Sequence, residues 1–122
     1  MLQVSDQEID NRLREENPWW VAGAGIDRDY AEFPRRAYLP PFARLVRQAA
    51  PQRAVLLLGP RRVGKTIMVF HAIDALLRDG VAGRDILYVS LETPTYFGQG
   101  LDCLVRRFQR AFERSPGTPL YV

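Results

Sequence analysis

Of the 17 basic side chains in this chain, one is a lysine, and its neighbours define what it can do. Lys65 stands in the run Gly59-Pro60-Arg61-Arg62-Val63-Gly64-Lys65-Thr66, which satisfies G-x-x-x-x-G-K-[ST] at every fixed position. A phosphate chain requires several backbone N–H groups aimed at one point. Two glycines let the backbone wrap closely enough to supply them. The ammonium of Lys65 is a compact point charge suited to the β- and γ-phosphates, a task for which arginine's planar fork is a poor substitute. The Thr66 hydroxyl is placed to ligate Mg²⁺. The pattern therefore predicts binding of a nucleotide with Mg²⁺ by residues 59–66, a Walker A P-loop. Arg61 and Arg62 read as solvated loop-tip residues, because only the backbone is required there, with a contact to the phosphates as their alternative.

Such a loop works only between a strand and a helix. Ala54 to Leu58 form a short continuous apolar run, which predicts a strand buried on both faces of a parallel sheet. Ile67 to Asp79 carry a helical apolar stripe ended by Gly80 as C-cap. Ile86 to Leu91 read as a second buried strand, ended at Glu92-Thr93-Pro94. Leu101, Leu104, Val105, Phe108 and Phe112 have the spacing of an amphipathic helix, and Leu120-Tyr121-Val122 open a third apolar run after a Pro/Gly turn. The order predicts an α/β fold, a P-loop NTPase layer sandwich. Upstream, Ser5 and Glu8 have capping-box spacing ahead of Ile9 and Leu13, so residues 5–16 read as a helix stopped by Asn17-Pro18. Trp19 to Pro41 show no period and read as an irregular arm. Pro40-Pro41 open a further helix with Phe42, Leu45, Val46 and Ala49 on one face. The expected domains are a helical N-terminal arm, 1–50, and an incomplete P-loop core, 51–122.

The chain has 122 residues, 47% of them hydrophobic and 25% charged, which suits one globular domain and excludes wholesale disorder. No apolar run reaches the roughly 18–20 residues of a membrane span, and the acidic N-terminus lacks a signal-peptide pattern. One cysteine, Cys103, cannot form an internal disulfide, so a reducing cytoplasm is expected. The net charge of +3 suits an anionic ligand and is too small to demand nucleic acid.

The P-loop run from Leu56 to Thr66, with Asn17-Pro18-Trp19-Trp20 upstream and Ile86 to Glu92 downstream, resembles the prokaryotic AAA-type ATPases in which an AAA core precedes a C-terminal domain of varied, sometimes nuclease-like, character. The resemblance implies ATP as the nucleotide, a helical N-terminal arm, and Gly59, Gly64, Lys65 and Thr66 as Walker A residues. It also implies a third strand ending in an Asp-Glu pair that supports Mg²⁺ and polarises the attacking water. That pair, the sensor residues and the arginine finger have no counterpart here, so the expectation is an N-terminal fragment truncated before the end of the Walker B strand. Such a fragment would be inactive in hydrolysis, with no confident catalytic residue. It would associate with the missing C-terminal part or with itself. A small P-loop kinase, or a nucleic-acid- or partner-binding module that uses nucleotide structurally, are the alternatives.

The remaining signals read mainly as structure. Glu92 reads as a turn residue, with a γ-phosphate contact as its functional alternative. Trp19, Trp20 and Tyr38 read as packing residues, with stacking on adenine as theirs. Arg106, Arg110 and Arg114 form a stripe that reads as a solvated helix face, with nucleic-acid contact the alternative. His71 and Cys103 lack partners at ligand spacing and read as structural.

Overall fold

In a computed structural model, residues 5–21, 23–48, 65–115 and 120–122 are described. Helix α1 (Asp6–Glu16) starts where the capping signal puts it: the Ser5 hydroxyl accepts from the Glu8 N–H at 3.2 Å. Its apolar stripe, Ile9 and Leu13, is buried. After the stop at Asn17, Pro18–Trp20 make one 3₁₀ turn that buries both tryptophans. The stretch expected to be an irregular arm contains this turn, the single-turn helix α2 (Arg28–Ala31), and the start of α3 (Leu39–Arg47). On α3, Ala43 is buried while Leu45 faces solvent; Ala49 lies outside the described residues.

Helix α4 is described over Lys65–Arg78 and carries the expected apolar stripe. Its end is a Schellman motif: the Gly80 N–H donates to Leu77 O and the Val81 N–H to Leu76 O, both at 3.1 Å. Gly80 sits at φ +95°, where a side chain would be strained. Helix α5 (Leu101–Ala111) buries Leu104 and Phe108 completely, as the spacing predicts.

One core joins the whole. Ile9, Leu13, Trp19 and Trp20 pack with Phe70, Ile73 and Leu76 of α4, with Ile86, Leu87 and Tyr96, and with Leu104 and Phe108 of α5. The Trp20 ring lies 5.0 Å from Phe108 and 5.1 Å from Phe112. Trp19 approaches so closely that a Cβ on Gly83 would sit 1.9 Å from its carbonyl oxygen, which requires glycine there. Arg107 ties α5 to α1 through Asp6 and Asp10.

The expected α/β P-loop layer sandwich is not the architecture observed. Helices dominate the described residues, which contain no sheet. The strand expected at 54–58 lies outside the described residues. The strand expected at 86–91 is reduced to one parallel bridge, Ile86 to Tyr121, in which the Leu87 N–H donates to Tyr121 O and the Tyr121 N–H to Asp85 O, both at 2.8 Å.

The opposite edge of this segment shows why no ladder extends there: side chains take its backbone hydrogen bonds. The Ile86 carbonyl accepts both indole N–H groups, from Trp19 at 3.1 Å and Trp20 at 2.8 Å. The Asn17 amide pairs with Tyr88 as a peptide group would, accepting from its N–H at 2.6 Å and donating to its carbonyl at 2.9 Å. The Ser90 N–H reaches Glu16 Oε2 at 3.4 Å. Backbone polar groups must be paired when buried, and here the partner is the end of α1 and the turn after it.

Candidate nucleotide-binding site

Gly59, Pro60, Arg61, Arg62, Val63 and Gly64 lie outside the described residues. Lys65 and Thr66 are the first two residues of α4, Lys65 half-buried and Thr66 exposed. This puts the two side chains expected from the sequence to serve phosphate and magnesium at the positive end of a helix 14 residues long. The first turn of α4 carries no acidic residue, so no carboxylate of that turn offsets the charge of Lys65 or the helix dipole.

The helix that presents these residues is held on several sides. Phe70 stacks on Tyr30 (centroids 4.5 Å apart) and packs against Tyr88 and Trp19 at 4.7 and 6.2 Å. His71 is buried, and its Nε2 lies 2.8 Å from the Tyr30 carbonyl. A carbonyl only accepts, so Nε2 carries the proton and His71 ties α4 to α2. Asp74 receives Arg35 at 2.8 Å and Arg78 at 2.9 Å, and Asp79 pairs with Arg47 of α3. Half the length of α4 is thus pinned to the segment that precedes the loop in sequence, which fixes the direction in which its first turn points.

A second polar cluster gathers where the segment 86–90 ends. The Glu16 side chain, 9% exposed, accepts from the Thr93 hydroxyl at 2.8 Å and the Tyr96 hydroxyl at 3.1 Å, besides the Ser90 N–H, and pairs with Arg12 at 3.4 Å. Burial pushes the Tyr96 hydroxyl well above the usual tyrosine range, and the adjacent Glu16 carboxylate pushes it further. Tyr88 is raised for the same two reasons, with smaller contributions from Tyr30 and Glu92. Glu92 itself is an exposed turn residue, as its default reading had it.

The other candidates separate clearly. Trp19 and Trp20 are core residues whose indole nitrogens are both spent on Ile86, while Tyr38 is 74% exposed. Arg106 pairs with Asp102 at 3.3 Å on an exposed face, and Arg110 is exposed. Arg114 departs from the expected solvated stripe. Its side chain is 11% exposed, bonded to Asp85 at 2.8 Å and to the Arg84 carbonyl at 3.0 Å, and lies over the Phe108 ring. Cys103 is free and exposed. Among the described residues no group of three or more His, Cys, Asp or Glu side chains is arranged to hold a metal ion. None of their helices is long and apolar enough to cross a membrane.

Sequence reasoning missed Glu16 and Asn17. Their only signal was position: polar residues immediately before Pro18-Trp19-Trp20, where a helix ends against two large core side chains.

Residues 51–121 match the family model of an AAA domain. The match spans more than half of the chain, which therefore belongs to the AAA domain family and carries an AAA-type, nucleotide-binding domain. No curated protein and no solved structure matches the chain.

Proposed function

We propose that this chain binds ATP together with Mg²⁺ through its Walker A residues, Gly59 to Thr66, in the cytoplasm. One observation carries the reading: the complete G-x-x-x-x-G-K-T pattern ends on the first two residues of a well-anchored helix whose first turn is free of carboxylates. Membership of the AAA domain family supports it. In this reading the backbone N–H groups of residues 61–66 cradle the phosphates, Lys65 contacts the β- and γ-phosphates, and Thr66 ligates the metal. The cytoplasmic assignment rests on the single thiol, Cys103, which suits a reducing compartment.

Titration with a fluorescent ATP analogue tests the assignment. Removing the Lys65 ammonium deletes a charge-assisted contact of about 1.5–3 kcal/mol, so Lys65→Ala should bind about ten- to a hundredfold more weakly. The same titration in Mg²⁺ and in EDTA separates the threonine: Thr66→Ala should lose most of the magnesium effect and keep most of the metal-free affinity. Equal affinities for Lys65→Ala and the parent would remove the P-loop reading.

A further inference from the structure

One stretch that covers α4 has almost no burial of its own. Within residues 23–38, Ile26 and Tyr30 are half-buried and every other residue is exposed. Beneath the stretch, Phe70 and His71 of α4 are 8% and 1% exposed. The helix inside it, α2, is one turn long, too short to hold itself together in water. Its Arg28–Glu32 pair is exposed on both sides and contributes little.

Among the described residues, three ring or polar contacts fasten the stretch to α4. The Tyr30 ring stacks on Phe70, the Tyr30 carbonyl accepts from His71 Nε2 at 2.8 Å, and Arg35 meets Asp74 at 2.8 Å. The helix can lose all three at small cost. Phe70 keeps Tyr88 at 4.7 Å and Trp19 at 6.2 Å, and Asp74 keeps Arg78 at 2.9 Å. Helix α4 also keeps its place in the core and, through Asp79, its tie to Arg47 of α3. His71 gives up its protein acceptor and finds water once uncovered. Little apolar surface, half of two side chains, is exposed on release. Such segments open far more readily than the core they rest on.

We propose that residues 26–35 are a detachable strap: they leave α4 as a unit while the core stays folded, and they uncover Phe70 and His71 when they do. The His71–Tyr30 bond is the latch. Access to this face of α4 is therefore set by the strap, and the device does not depend on nucleotide binding.

Two probes on the full chain read the two sides of the strap. His71 is the single histidine of the chain, so its acylation by diethyl pyrocarbonate, followed on its own peptide by mass spectrometry, reports uncovering. Hydrogen exchange of the Ala31, Glu32 and Phe33 amides, bonded to the Asp27, Arg28 and Tyr30 carbonyls, reports release. These three amides should share one opening constant and exchange about a hundredfold faster than the slowest amides of α4. Arg35→Ala should raise their exchange and the acylation of His71 by the same factor, about two- to fivefold, and leave α5 unchanged. His71→Leu removes the latch and should speed the three amides about three- to tenfold. His71→Gln, which keeps an N–H near the position of Nε2, should recover most of the protection. Strap amides that open only together with those of α4 and α5 overturn the proposal. So does an Arg35→Ala protein in which the α2 amides speed up and His71 acylation does not, since α2 would then be fraying by itself. Should His71→Leu fail to fold, the paired measurements on Arg35→Ala decide.

Discussion

The first turns of two helices in this chain carry opposite charge. At the start of α1, the Ser5 hydroxyl caps the Glu8 N–H, and Asp6 and Glu8 place two carboxylates in the first turn. The helix supplies its own counter-charge and hydrogen-bond acceptor. At the start of α4, the first turn holds Lys65 and Thr66 and no acidic residue. There the side chains add positive charge to an end that is already positive. Elements built for their own stability resolve their charges internally. A helix start whose own first turn carries a cation and no carboxylate is suited to a ligand of negative charge. The comparison therefore predicts that substitutions on the α1 side change stability and leave nucleotide affinity alone, and that those at the α4 start do the reverse.

The largest effect on the α1 side should come from Trp20→Ala. Trp20 is 8% exposed, packs on Phe108 and Phe112, and donates to the Ile86 carbonyl. Truncation leaves a cavity between the turn 18–20 and α5 at a cost of about 3–5 kcal/mol. That is a large share of the roughly 5–15 kcal/mol available to a small domain. Denaturant unfolding should show the loss as a lower midpoint. The ATP affinity of the molecules that remain folded should match the parent's. A matching loss of affinity in the folded fraction would break the separation between the two regions.

An intermediate effect appears with pH. Tyr96 in the folded chain holds its proton more tightly than an ordinary tyrosine, because it is buried beside Glu16. In the unfolded chain a tyrosine releases its proton near pH 10. Above that pH the unfolded state binds fewer protons than the native one, so stability is complete below about pH 10 and falls as pH rises beyond it. Melting curves over the alkaline range should show this slope, reduced in Tyr96→Phe, with Tyr88 sustaining what remains. A slope unchanged by Tyr96→Phe would place the alkaline sensitivity elsewhere.

How much of this was legible in the sequence depended on whether the signal was local. Ser5, Gly80 and the Leu104/Phe108 spacing act within one or two turns of a helix, and each is found where the residues indicate. The strand at 86–91 was legible as an apolar segment but not as an unladdered one. Nothing within residues 86–91 tells that Asn17, some seventy positions away, will take the place of a neighbouring strand. Arg114 was misread for the same reason. Its spacing matched an exposed stripe, yet the helix ends at Ala111, and the chain beyond it carries Arg114 onto Asp85 and the Phe108 ring. The P-loop is an expectation drawn from residue types that phosphate dictates; its residues 59–64 lie outside the described residues, and Lys65 and Thr66 are in the first turn of α4.

The smallest predicted effect sharpens the comparison most directly, because it alters one helix start and spares the other. Ser5 is exposed and its contribution is a single capping bond of 3.2 Å to the Glu8 N–H. Ser5→Ala should cost about 1 kcal/mol, since water replaces part of what the hydroxyl supplied and Asp6 and Glu8 still balance the dipole. For a domain of this size that lowers the melting temperature by a few degrees. Ser5→Asp, which keeps a capping acceptor, should recover most of the loss. Lys65→Ala, measured beside it, should lower the affinity about ten- to a hundredfold while shifting the melting temperature of the nucleotide-free protein by no more than Ser5→Ala does. If Ser5→Ala weakened ATP binding as much as it lowered stability, the two helix starts would be energetically coupled, and the division of labour between them would fail.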